Sequence, residues 1–157
     1  MEEGPSSFRS HVRRAAAWTA SVGGLGYVPG APGTAACLVG AAIFWWCAGT
    51  PWFAGITLAV TALACAVSGP AERYWKEKDC KKIVIDDVAG VMITFVGIPA
   101  TPEFLFFGFF LFRYMDILKI PPADILEKQQ GAVGVVGDDI IAGIYTNLLL
   151  RLFLFLS

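Results

Sequence analysis

The sequence is poor in charged residues. Lys, Arg, Asp and Glu make up only 16% of its 157 residues, whereas hydrophobic residues make up 56%. Soluble domains typically contain about 25% charged and about 45–50% apolar residues. This apolar excess is too large for the core of one domain of this length, so we expect much of it to face lipid. The formal net charge of −1 gives no electrostatic basis for binding nucleic acid.

Histidine and paired cysteines are also scarce. The single histidine, His11, lies near the N-terminus, which excludes any catalytic scheme that needs two histidines. The four cysteines contain no CxxC pair, so neither a zinc site nor a disulfide framework is supported. Three of them lie inside apolar runs, where a cysteine is most simply a small buried residue.

Apolar segments predict an all-α fold, a polytopic membrane helical bundle of about five helices, some of them short or re-entrant. The segments cover residues 35–49, 52–67, 83–98, 104–112 and 140–156. A full span requires roughly 20 residues, so several of these segments are short. We expect residues 1–157 to form a single membrane-embedded domain, with a flexible polar segment over 1–17 and a short helix over 15–22.

The distribution of Lys and Arg predicts the orientation in the membrane. Basic clusters precede the first apolar segment and follow the second and the fourth, whereas the turns at 50–51 and 99–102 hold neither Lys nor Arg. By the positive-inside rule, this pattern predicts five crossings with a cytoplasmic N-terminus. Arg151 is the exception to the pattern.

Two pairs of adjacent acids fall at the cytoplasmic ends of apolar segments, Asp86-Asp87 and Asp138-Asp139. Capping explains one acid before an apolar helix, and it is the stronger alternative for Asp138-Asp139. Two carboxylates inside an apolar segment are harder to explain in this way, because each costs about 2.5–3.5 kcal/mol at a membrane centre. Mg²⁺ binds one or two carboxylates and bridges them to phosphate, so the two pairs favour a magnesium site.

A third group of charges, Arg113, Asp116 and Lys119, repeats every third residue and so lies on one side of a helix. One interpretation is an ion network at the membrane boundary. The other is a pair of phosphate-binding cations around a metal-binding Asp116. Arg can donate two parallel hydrogen bonds to a phosphate, and Lys binds it as a point charge.

A Gly- and Pro-rich loop over residues 23–34 falls on the same side of the membrane. Its backbone N–H groups, including those of Gly33 and Thr34, can bind an anion such as phosphate. The loop lacks the Lys-Ser/Thr ending of a P-loop, and a structural turn explains it equally well. Asp79 is a secondary metal candidate, which alone is also explained as a solvated charge.

Four motifs resemble, in the same order, those of the phosphatidylglycerophosphatase A family. They are GLGYVPGAPGT, KDCKKIVIDDVAG, LFRYMDILKIPP and VGVVGDDIIAG. The family's Asp-Glu is Asp86-Asp87 here, and its Lys-Pro-x-Pro is Lys-Ile-Pro-Pro from Lys119, changes that remove no charge. The resemblance implies a Mg²⁺-dependent membrane phosphatase that converts phosphatidylglycerophosphate to phosphatidylglycerol in the bacterial inner membrane, with its active site facing the cytoplasm.

With this resemblance, we expect carboxylates to hold Mg²⁺ while water attacks the phosphate, with a covalent aspartyl-phosphate as the alternative. The sequence lacks the Cys-based phosphatase signature, and no Asp-x-Asp occurs to supply an aspartyl nucleophile. The expected catalytic residues are Asp86, Asp87 and Asp139. The expected metal ligands are Asp79, Asp86, Asp87, Asp116, Asp138 and Asp139, and the expected phosphate-binding residues are Arg113, Lys119, Gly33 and Thr34.

Two functions of other classes compete with this hypothesis. A small membrane cation or solute transporter would use intramembrane acids as a cation pathway. It would need polar groups near the midplane and on both sides, whereas this sequence has its acids almost entirely at one end. A non-catalytic membrane scaffold would leave the acidic pairs unexplained.

Overall fold

A computed structural model of the chain describes residues 5–47, 49–77, 80–118, 121 and 132–156. This described part is helical and contains no strand, which confirms the predicted all-α class. Its helices are α1 (Pro5–Ala20), α2 (Pro32–Cys47), α3 (Trp52–Trp75), α4 (Ile85–Thr94), α5 (Pro102–Leu118) and α6 (Ala132–Leu156), with a 3-10 turn at Leu25–Tyr27.

Proline and glycine set several of the helix ends. Pro32 and Pro102 are the first residues of α2 and α5, a position where the missing backbone N–H costs no hydrogen bond. Gly49 has a positive φ of 78° between α2 and α3, which an L side chain rarely adopts. The breaks predicted near residues 50 and 100 are therefore present.

Two helices are long and apolar enough to cross a membrane, Trp52–Trp75 and Val133–Leu156. Only 28% of the most apolar window of each is buried inside the protein, so most of that surface is exposed for contact with lipid. α2 is a shorter apolar helix. These features fit a membrane protein, while five crossings and their orientation stay predictions.

The short helix α4 lies at the centre of the fold. It packs against α2, α3 and α6, and most of its side chains are buried. Its ten residues span about 15 Å, half of a hydrocarbon core about 30 Å thick. The apolar segment predicted over 83–98 is therefore not one continuous spanning helix, because the chain turns after Thr94 and Gly97 adopts a φ of 71°.

The first helix is longer than predicted. α1 begins at Pro5, so residues 5–17 are helical where the sequence indicated a flexible polar segment. Ala16, Ala17 and Ala20 are buried, and α1 packs along α3. Contact with α3 explains the difference, since tertiary packing stabilises short helices more than propensity does.

Candidate active site

The two acidic pairs lie where α4 and α6 cross. Asp86 and Asp87 are in the first turn of α4. A Cβ on Gly143 of α6 would collide with the carbonyl oxygen of Gly90 in α4, and a Cβ on Gly90 would lie 2.8 Å from the carbonyl oxygen of Asp139. Because both glycines lack a side chain, the two backbones approach closely and Asp139 comes next to the α4 pair.

Three carboxylates form the centre of the site. One oxygen each from Asp86, Asp87 and Asp139 lie within 4.8 Å of one another. Asp86 and Asp139 are 6% and 5% exposed. In the described part of the chain, the buried Oδ1 of Asp139 has no hydrogen-bond partner. A buried carboxylate oxygen without a partner is costly unless a cation binds it.

Burial and mutual repulsion disfavour the charged forms of the α4 pair, which lies outside the two helices long enough to cross a membrane. Burial raises the pKa of Asp86 well above its ordinary value, and the neighbouring Asp87 raises it further. Burial also raises the pKa of Asp87 to about 6, although Arg113 opposes that shift. A metal ion between the carboxylates would remove the repulsion and restore their charged forms.

Arg113 of α5 fixes one edge of this centre. Its Nη1 donates to Asp87 Oδ1 at 2.6 Å and to Asp116 Oδ2 at 2.9 Å. The Cys37 thiol of α2 also donates to Asp87 Oδ1, at 3.6 Å, and its Sγ lies 3.7 Å from Arg113 Nη1. Asp87 Oδ1 therefore accepts hydrogen bonds from two donors. The second oxygen, Oδ2, takes part in neither of these bonds.

Gly33 at the start of α2 leaves the space beside that second oxygen. A Cβ at this position would lie 2.6 Å from Asp87 Oδ2 and 2.9 Å from Oδ1. That Gly33 donates a backbone N–H to phosphate stays a prediction, and the structure adds that its missing side chain makes room for the Asp87 carboxylate. Thr34 is half-buried and does not line the pocket around this centre.

A pocket of about 250 Å³ encloses these groups. Five of the predicted metal ligands line it, namely Asp86, Asp87, Asp116, Asp138 and Asp139. The two other predicted residues, Asp79 and Lys119, lie outside the described residues. The sequence predicts no role in the site for Lys81, which also lines the pocket, or for Cys37. Lys81 belongs to the KDCKK motif, but an apolar helix gives no signal for a cysteine beside a carboxylate.

The residues present suit a hard divalent cation. The donor set consists of carboxylate oxygens, which Mg²⁺ prefers. The Oδ1 of Asp139, which has no hydrogen-bond partner among the described residues, and the space left by Gly33 both lie at this cluster. Asp86, Asp87 and Asp139 can therefore hold a metal ion.

Comparisons with known proteins place the chain in a family. The sequence profile of the family described as Phosphatidylglycerophosphatase A matches residues 18–154. A Bacteroides thetaiotaomicron protein named "Putative phosphatidylinositol-3-phosphatase" is 31% identical over 138 residues, 81% of this chain and 86% of the relative. A Haemophilus influenzae protein named "Phosphatidylglycerophosphatase A" is 32% identical over 127 residues, 78% of each chain. No solved structure matches significantly.

The matched region contains the whole candidate site. Residues 18–154 include every residue that lines the acidic pocket, together with Cys37. The carboxylate cluster gives that region a centre suited to phosphate chemistry. The chain therefore belongs to the phosphatidylglycerophosphatase A family and is a lipid phosphatase, a phosphoric monoester hydrolase.

Proposed function

We propose that the protein is a Mg²⁺-dependent phosphatase that hydrolyses phosphatidylglycerophosphate to phosphatidylglycerol and phosphate in bacterial phospholipid synthesis. The observation that carries this proposal is the cluster of Asp86, Asp87 and Asp139 in a chain of this family. One relative bears the name of this activity, and another is named for a phosphoinositide. Both names describe removal of a phosphate from a lipid headgroup. A transporter is not favoured, because the family comparison points to a hydrolase.

In the proposed reaction, Asp86, Asp87 and Asp139 would hold Mg²⁺. When bound, Mg²⁺ would offset the charge of the phosphate and lower the pKa of water. Arg113 keeps Asp87 in position through its ion pair. One carboxylate accepts the proton of the attacking water, and the glycerol oxygen leaves in line with the attack and takes up that proton. Asp138 lines the same pocket and would complete the acidic surface.

We further propose a multi-pass protein of the bacterial inner membrane with this pocket at the cytoplasmic face. Asp86, Asp138 and Lys81 line one pocket, so the first turn of α4 and the second turn of α6 lie side by side. The basic residues Arg73 and Lys76 lie at the end of α3. Basic residues at a helix end favour the cytoplasmic side.

The direct test is phosphate release by the purified protein. Phosphatidylglycerophosphate in detergent micelles should yield inorganic phosphate with Mg²⁺ and none after chelation, with activity restored when Mg²⁺ is added back. Phosphatidylinositol 3-phosphate serves as the comparison substrate, and we expect slower turnover. Equal activity with and without Mg²⁺ would contradict the metal assignment, and faster turnover of the phosphoinositide would contradict the substrate assignment.

A further inference from the structure

The pocket carries more negative than positive charge. Among the residues that the structure describes, five carboxylates line it, those of Asp86, Asp87, Asp116, Asp138 and Asp139, and two cations do so, Arg113 and Lys81. A phosphate monoester brings further negative charge into this space. A substrate of that kind is repelled unless bound metal and a free cation offset the excess.

Arg113 is already engaged by two of these carboxylates. Its Nη1 lies 2.6 Å from Asp87 and 2.9 Å from Asp116. Most of its charge therefore offsets acids of the protein itself. Recruiting Arg113 to a phosphate would weaken the contact that holds Asp87.

Lys81, unlike Arg113, is not engaged by the carboxylates of the pocket that the structure describes. It is exposed, it lines the pocket, and it forms no ion pair with any carboxylate that the structure describes. Its backbone is fixed, because Ile83 N donates to Cys80 O at 2.8 Å and both of these neighbours are buried. Lys81 thus belongs to a short, anchored turn at the edge of the pocket.

The next residue, Lys82, provides a natural contrast. Its Nζ lies 5.6 Å from the ring centroid of Tyr27 and 5.7 Å from that of Trp75. Lys82 does not line the pocket, and its ammonium is occupied by aromatic faces. The two lysines are adjacent in sequence, but Lys81 lines the acidic pocket and Lys82 contacts aromatic rings.

We propose that Lys81 binds the phosphate monoester of the lipid substrate and supplies the positive charge that no other described residue of the acidic pocket leaves free. This inference rests on the proposed phosphatase function and extends it. An ammonium group binds phosphate as a compact point charge with three donors. Lys81 acts on substrate affinity, whereas the carboxylates act on metal affinity.

The test compares Lys81→Met, Lys81→Arg and the matched control Lys82→Met in neutral detergent micelles. Lys81→Met should raise KM for the phospholipid about tenfold or more, the scale of one charged hydrogen bond. It should weaken inhibition by inorganic phosphate by a similar factor and leave the Mg²⁺ concentration for half-maximal activity unchanged. Lys81→Arg should remain near the unsubstituted protein, and Lys82→Met should change none of these quantities.

Binding of inorganic phosphate in the presence of Mg²⁺, followed by calorimetry, separates this inference from the proposed function. If the protein releases no phosphate from the lipid, the proposed function fails, yet weaker phosphate binding by Lys81→Met alone would still support the role of Lys81. Unchanged KM and unchanged phosphate affinity in Lys81→Met would overturn that role. Equal losses in Lys81→Met and Lys82→Met would also overturn it, since they would indicate a general surface-charge effect.

Discussion

At the scale of single residues, the acidic centre depends on how each carboxylate is held. Asp87 Oδ1 accepts hydrogen bonds from both Arg113 and the Cys37 thiol, while Oδ2 lies beside the space at Gly33. Asp139 has a buried oxygen with no partner in the described part of the chain. These two carboxylates therefore differ: one is oriented by protein donors, and the other has an oxygen that a bound cation would satisfy.

Asp86→Asn and Asp139→Asn test the ligand assignment. Each should reduce phosphate release by about 100-fold or more, beyond the loss expected for an outer-shell partner, because an amide is a weaker metal ligand than a carboxylate. Circular dichroism should show unchanged helix content. Glu103→Gln is the matched control, since Glu103 is an exposed acid outside the acidic pocket. Near-normal turnover in both Asn variants would refute the metal site.

Gly33→Ala tests the space beside Asp87. The added Cβ would lie 2.6 Å from Oδ2, and Arg113 restrains the carboxylate from moving away. We expect a loss of activity of about 10–100-fold and a higher Mg²⁺ requirement, the scale of a disturbed metal shell. Gly55→Ala is the control, because no atom lies within 4 Å of its added Cβ. Full activity in Gly33→Ala would show that this space is not used.

At the scale of elements, the end of α4 inside the protein requires a cap from another helix. Asn147 Nδ2 of α6 donates to the carbonyl oxygens of Thr94 and Val96, each at 2.9 Å. Arg151 Nη2 donates to Val96 O at 2.8 Å, and its Nε donates to Asn147 Oδ1 at 2.8 Å. Arg151 therefore has a structural role in this network, which accounts for a basic residue outside the clusters predicted to be cytoplasmic.

Asn147→Ala should therefore destabilise the protein and disturb the site at the other end of α4. Leaving helix-end carbonyls unsatisfied costs about 1–3 kcal/mol. We expect a lower midpoint of thermal unfolding in detergent, together with reduced phosphate release. Leu148→Ala on the exposed face of α6 is the control. If Asn147→Ala unfolds at the same temperature as Leu148→Ala, the cap contributes little.

At the scale of the whole molecule, the proposed orientation places the two ends of α3 on opposite sides of the membrane. Thr50 and Arg73 are exposed near these ends. We expect an impermeant maleimide added to spheroplasts to label Thr50→Cys and not Arg73→Cys, in a background where Cys47 and Cys65 are replaced by Ala. Disruption of the membrane should make both positions reactive. Labelling of Arg73→Cys alone would reverse the orientation.

The sequence by itself determined the features that depend on local composition. Helix-forming apolar runs, breaks at Pro51 and Pro102, and the adjacent acid pairs are all readable without a fold. The ordered motifs also indicated the family, which the comparisons confirmed. Such features are predictable because hydrophobicity and the fixed φ of proline act over a few residues.

Only the tertiary structure decided which distant groups meet. α4 ends after ten residues although the apolar run continues beyond it, and Asn147 donates to the carbonyl oxygens of Thr94 at its end and of Val96 in the turn that follows. The contact of Cys37 with Asp87 joins positions 50 residues apart. The separate surroundings of Lys81 and Lys82 likewise follow from the turn that anchors them. These arrangements depend on packing between helices, which no local pattern encodes.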